Sequence, residues 1–198
     1  MNKNISVIMA LPSESQGLFE QAPVNLHYCG IGKVNAAHKT TEVILTQKPA
    51  LILNLGSAGS KHFATHALVE CESFVQRDMD ISPLGFKIGE TPMDELGYEL
   101  SVPTYFSELP KGVCGTGDSF EVGPGKMPYH LVDMEAYAMA KICRRYGVPF
   151  ISLKYITDGA DDSAHQDWYE NLKPASQKLF SYYQIVSELV SQNKISGI

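Results

Sequence analysis

No apolar run in this 198-residue sequence is long enough to cross a membrane. Residues 5–10 are apolar but short, and no small-residue cleavage site follows a signal-type segment, so the expected location is the cytoplasm. Cysteine is scarce. Cys29, Cys71, Cys114 and Cys143 stand far apart and form no CxxC pair, which leaves free buried thiols as the expectation rather than a disulfide framework. Positive charge is also in deficit, with 16 Lys and Arg against 22 Asp and Glu and a net charge of −6. The basic residues are scattered, which argues against a nucleic-acid groove. The most basic stretch, residues 141–145, reads as one solvated face of a helix.

Several cofactor and catalytic patterns are missing as well. Gly30-Ile31-Gly32-Lys33 resembles part of a dinucleotide loop but lacks the third glycine, and no GK[ST] occurs. Gly56-Ser57-Ala58-Gly59 fails the G-x-S-x-G pattern, because serine directly follows the first glycine. None of the six histidines stands in a triad context or in an HExxH motif, and His62 and His66 have no glutamate placed between them for zinc. No metal and no organic cofactor is expected.

What is present is an ordinary globular balance, 44% apolar and 19% charged. The length suits a single domain over residues 1–198. Residues 5–10 read as a buried strand, and Ser13 as the cap of a helix over residues 14–20. A strand at 25–29 leads through Gly30-Ile31-Gly32 into a helix from about 33 to 46, and a strand at 51–56 stops at the glycine run. Residues 69–76 read as a strand, 78–110 as loop with short strands, 111–117 as a strand and glycine turn, and 131–134 as a short strand. Met139, Ile142, Cys143 and Tyr146 fall at helical spacing, with Gly147 and Pro149 as the stop. A buried strand at 150–156 follows. The last helix covers about 165–192, with Leu179, Tyr183, Val186 and Val190 on one stripe and Pro174 starting or kinking it.

Apolar strands alternating with helices predict an α/β protein with a covered, mostly parallel or mixed sheet. Ligands of such sheets gather at the carboxyl ends of strands. Glu14, Ser57 and Asp158 follow strands, and Glu135 lies where a strand becomes a helix. Asp133 and Glu135, two apart, would point to opposite faces if extended, so only one of them would face a site there. Singly, each acid reads as a cap or a solvated loop end. Their common address predicts a site rich in carboxylates.

Five blocks occur in order: residues 29–37 (CGIGKVNAA), residues 54–59 (NLGSAG), Gly117-Asp118-Ser119-Phe120, Val132-Asp133-Met134-Glu135, and residues 156–161 (ITDGAD). Together they resemble the nucleoside phosphorylase family with the purine phosphorylase fold, most closely its methylthioadenosine/S-adenosylhomocysteine nucleosidases. The resemblance implies a three-layer αβα domain with a central mixed, partly barrel-like sheet. It implies cleavage of the N-ribosidic bond of a purine nucleoside, and a homodimer. It implies that Asp158 donates a proton to purine N7, that Glu14 activates the attacking water, and that Glu135 holds the ribose hydroxyls with Met134 under the sugar. Phe120 would stack on the base, Ser57 would sit near sugar and water, and Ile31 near the 5′ end.

The chemistry explains why acids are needed. Breaking a glycosidic C–N bond builds positive charge on the sugar and negative charge on the base. A proton donated to the base relieves the second, and a carboxylate below the sugar favours the first and orders water. A phosphorylase of this fold would need cations for phosphate, usually arginines. The loop Leu11-Pro12-Ser13-Glu14 has none, so hydrolysis is favoured, with Arg77 as the one residue that would support phosphorolysis. A non-catalytic nucleoside-binding protein is the other alternative; its mark would be a missing acid, and none is missing. The sequence departs from the family in three places. No hairpin fits between Glu14 and Cys29, no extra helix fits between Arg77 and Gly117, and Glu121 follows Phe120 where an apolar residue is common. Glu121 can reach the base edge and alter base choice.

Overall fold

The computed structural model describes residues 4–121, 125–160 and 164–195. Strand β1 (Ile5–Met9) is apolar and almost wholly buried. It is followed by α1 (Pro12–Ser15), a single turn. This overturns the expected helix over 14–20 and its Ser13 cap. Pro12 suits the first helical position, and Leu11 occupies the cap. Gln16 and Gly17 then adopt left-handed φ values of +50° and +76°, which end the helix after one turn. Turns carry the chain to β2 (Leu26–Tyr28), with no hairpin between. The N-cap of α2 (Lys33–Gln47) is Gly32, whose φ of +97° favours glycine.

Strand β3 (Leu51–Gly59) does not stop at Gly56, and β8 (Phe150–Asp158) does not stop at Ile156. The two pair in parallel from Ile52↔Phe150 to Gly59↔Asp158, with a bulge after Ala58. The glycine run is therefore strand, not turn, and Asp158 is a strand residue. Strand β4 (Leu68–Gln76) pairs antiparallel with β8 and parallel with β6 (Lys111–Thr116). Strand β7 (Leu131–Asp133) pairs parallel with β6 and meets β3 antiparallel at Gly59↔Val132. These contacts close a barrel-like ring β3-β7-β6-β4-β8, as expected for the family resemblance. Strands β1 and β2 extend it from β3, and β5 (Glu99–Ser101) from β4. Among the described residues, only a short 3₁₀ turn (Ser82–Leu84) and β5 lie between β4 and β6.

Helices cover the sheet on two sides. With α3 (Ala136–Tyr146), α2 encloses Ile8, Val43, Val69, Phe74, Met139 and Phe150. With α1, α4 (Ala164–Ser191) encloses Val7, Met9, Leu53, Leu153, Leu179 and Val186. Each fully buried aliphatic or aromatic side chain contributes about 1.5–3 kcal/mol. Helix α4 begins before Pro174 and runs through it, which excludes the start of the two readings, start or kink, and gives up one backbone hydrogen bond. Two other expectations need correction. Tyr146 shares the helical spacing of its stripe but is exposed in the last turn. Lys141 and Arg145 are not simply solvated, because both pair with the buried carboxylate of Asp94. All four cysteines are free thiols. Among the described residues, no helix is long and apolar enough to cross a membrane.

Candidate active site

The ends of seven strands and the first turns of α4 enclose one cavity of about 320 Å³. Glu14, Ile31, Ser57, Phe120, Glu121, Met134, Glu135 and Asp158 all line it. Curvature brings them together. The carboxyl ends of β3 and β7 run toward each other and cross at Gly59↔Val132.

On one side lies Glu14, 5% exposed. Its Oε1 accepts the Ser57 N–H and the Ser57 hydroxyl, each at 2.8 Å. Its Oε2 accepts the N–H groups of Ala10 at 3.1 Å and Leu11 at 3.2 Å. The one-turn helix after β1 is what folds this carboxylate back onto the strand end. A Cβ built on Gly56 would lie 3.2 Å from Glu14 Oε1 and 3.4 Å from Lys154 Nζ, so the two charges approach each other over a bare strand.

Beneath the cavity, Lys154 from β8 is buried and its Nζ lies 2.9 Å from Asp133 Oδ2. Asp133 also accepts the Thr116 hydroxyl at 2.5 Å and caps α3 through the Ala136 N–H at 2.9 Å. Burial disfavours the Asp133 charge, but Lys154 and these donors hold the carboxyl below its usual range. Burial likewise works against the Lys154 ammonium, and Asp133 outweighs it.

Glu135 sits next to this pair. Its backbone has left the strand (φ −134°, ψ −39°), so the alternation of an extended chain no longer applies. Asp133 and Glu135 both line the cavity, contrary to the expectation that only one would. Burial first, and then the Asp133 charge, push the Glu135 carboxyl up to about 8, although Lys154 and the Gly32 N–H oppose this. That N–H donates to Glu135 at 2.9 Å and ties the α2 entrance to the site.

Asp158, also 5% exposed, ends β8. Its Oδ1 accepts the Ala160 N–H at 3.0 Å, and its Oδ2 lies 2.7 Å from the Thr157 hydroxyl. Only glycine fits opposite, since a Cβ on Gly59 would stand 2.6 Å from Asp158 Oδ1. Phe120 and Ile31 line the cavity from two loops and are 59% and 50% exposed. Those loops are clasped: Asp118 accepts the Lys33 N–H at 2.8 Å, and Lys33 Nζ pairs with Asp78.

Arg77 lines the cavity, yet its guanidinium is committed to the Glu121 carboxylate and to the backbone oxygen of Ser119. Tyr129 donates its hydroxyl to Glu121 at 2.8 Å. Burial and Glu121 together push that hydroxyl up to about 12.

Sequence reasoning missed Trp168, Tyr169 and Lys154. Trp168 and Tyr169 line the cavity from α4, and Trp168 Nε1 donates to Ser57 Oγ at 2.8 Å. Being the chain's single tryptophan was the available signal. No histidine is among the described lining residues. Asp161, the last residue of the fifth block, lies outside the described residues. Among those that are described, no group of three or more His, Cys, Asp or Glu could hold a metal ion.

The phosphorylase superfamily matches residues 14–190. The 5′-methylthioadenosine/S-adenosylhomocysteine nucleosidase of Marinomonas sp. (strain MWYL1) is 32% identical over 91% of this chain and 84% of its own length. The enzyme of that name from Bacillus cereus (strain G9842) is 30% identical over 82% of this chain and 79% of its own. Two solved structures from Helicobacter pylori share the fold. A mutant methylthioadenosine nucleosidase with 5′-methylthioadenosine in its active site has a TM-score of 0.84 at 22% identity, covering 95% of this chain and 99% of its own. A futalosine hydrolase has a TM-score of 0.83 at 24% identity, covering 96% and 99%. The chain therefore belongs to the phosphorylase superfamily and, within it, to the 5′-methylthioadenosine/S-adenosylhomocysteine nucleosidases, which makes it an N-glycosyl hydrolase.

Proposed function

We propose that this chain hydrolyses the N-ribosidic bond of a 5′-modified adenosine of the methylthioadenosine/S-adenosylhomocysteine kind. Asp158 gives a proton to the purine N7, and Glu14 takes one from the attacking water. Glu135 holds the ribose hydroxyls over Met134, Phe120 stacks on the base, and Glu121 lies at its edge. Ser57 stands by the sugar and the water, and Ile31 by the 5′ end. The observation that carries the reading is that one cavity holds two buried acids in unlike surroundings, with Glu135 and Met134 also in its wall. The commitment of Arg77 to Glu121 supports water rather than phosphate as the nucleophile.

We read residues 1–198 as one domain working in nucleoside catabolism, in the cytoplasm and as a homodimer. Apolar Ile31 and Phe120, exposed in a single copy, support the dimer. Light scattering on the purified protein checks the assembly. The reaction is tested with a panel of purine nucleosides, with and without phosphate, followed by release of free base. The expected result is adenine from 5′-methylthioadenosine or S-adenosylhomocysteine without phosphate. Release of base only when phosphate is added would overturn the reading.

A further inference from the structure

Ser57 Oγ has two strong partners. It donates to Glu14 Oε1 at 2.8 Å and accepts the indole N–H of Trp168 at 2.8 Å. An indole N–H can only donate, whereas a serine hydroxyl carries one proton on a free rotor. With Trp168 donating to it, the Ser57 oxygen is the acceptor in that contact, and its one proton is left for Glu14. The indole is itself held in place. Its ring meets Tyr169 edge-on with centroids 4.8 Å apart. Asn171, three residues on and so on the same helix face, donates to Thr157 O at 2.8 Å. Helix α4 is thereby fixed against β8, and Trp168 is not free to follow a rotated serine.

We infer that Trp168 is a positioning residue for water activation. It sets the direction of the Ser57 hydroxyl and, through it, the orientation of the Glu14 carboxylate. The inference rests on the reading of Glu14 as the base. Without the indole N–H, the Ser57 rotor is released to accept from water and to point its proton elsewhere. Glu14 then keeps only its backbone donors.

The test is a double-mutant cycle with 5′-methylthioadenosine in phosphate-free buffer. Trp168→Phe keeps an aromatic ring and deletes the donor. The expected result is a kcat lower by about tenfold, less than the ~10²-fold that a 1 Å misplacement can produce, with KM within about twofold. In a Ser57→Ala background the same change is expected to have no further effect on kcat, because the two residues act as one unit. Trp168→benzothienylalanine replaces only the N–H by sulfur, and it decides the matter should the phenylalanine variant fail to fold by circular dichroism. A raised KM at unchanged kcat, or losses that simply multiply across the cycle, would make Trp168 a pocket wall and overturn the inference. Wild-type kcat in Glu14→Gln would instead overturn the reading of Glu14, and the two failures are told apart by that variant.

Discussion

Glu14 and Asp158 are equally buried, each 5% exposed, but their hydroxyl partners are set up in opposite ways. The Ser57 hydroxyl beside Glu14 faces a donor-only indole, so its proton goes to the carboxylate. The Thr157 hydroxyl beside Asp158 faces the carbonyl of Ala58 at 3.3 Å, which can only accept. Its one proton is shared between that carbonyl and Asp158 Oδ2, 2.7 Å away, so it is not directed to the carboxylate alone. Among the described residues, Glu14 has four donors around it, while Asp158 has one backbone N–H and this shared hydroxyl. Equal burial thus goes with unequal hydrogen bonding. In the proposed roles, the carboxylate with more donors is the base and the one with fewer is the acid.

That contrast can be broken from either side. Apart from the Asp158 change described last, the largest effect is expected from Glu14→Gln, which places an amide NH₂ among four donors. We expect kcat to fall by about 10³-fold in a phosphate-free assay, within the range for losing a general base. Next is Lys154→Met, which strands the buried Asp133 carboxylate beneath the site. The expected loss is about 3–5 kcal/mol of stability, read from the denaturant midpoint. Gly59→Ala is more selective, because its Cβ would enter the space of Asp158 Oδ1 and leave the Glu14 donors alone. Single-turnover rates should drop roughly tenfold.

A pH-dependent effect concerns Glu135, whose carboxyl is raised by burial and by Asp133 to about 8. The groups facing it are Asp133, Lys154, Glu14 and the Gly32 N–H. A raised folded value means the folded state holds the proton more tightly than the unfolded chain. The stabilisation is therefore complete below the ordinary glutamate value of 4.5 and is lost as pH rises through about 8. Glu135→Gln should flatten this slope of at most roughly 1.4 kcal/mol per pH unit, as read by thermal melts between pH 5 and 9.

The fold was largely legible, because its strands are continuous apolar runs and its helices carry clear stripes, such as Leu179, Val186 and Val190. Strand ends were read two or three residues short at Gly56 and Ile156; in β3, Gly56 and Gly59 signal close packing against Glu14 and Asp158 rather than a turn. The site acids were legible from their places at strand ends and from the order of five blocks. Their supports were not. Trp168 reaches Ser57 across 111 positions, and Lys154 pairs with Asp133 from within an apolar strand, so no local pattern marks either. Asp133 and Glu135 were misjudged because extended geometry was assumed where the chain was already turning into α3.

The division of labour between the two acids is tested most directly by Asp158→Asn. Calorimetry and adenine release are measured with 5′-methylthioadenosine in phosphate-free buffer. The expected result is binding within a few-fold of wild type and turnover slower by about 10³-fold or more, because the base no longer receives its proton. Turnover at the wild-type rate in that variant would contradict the account.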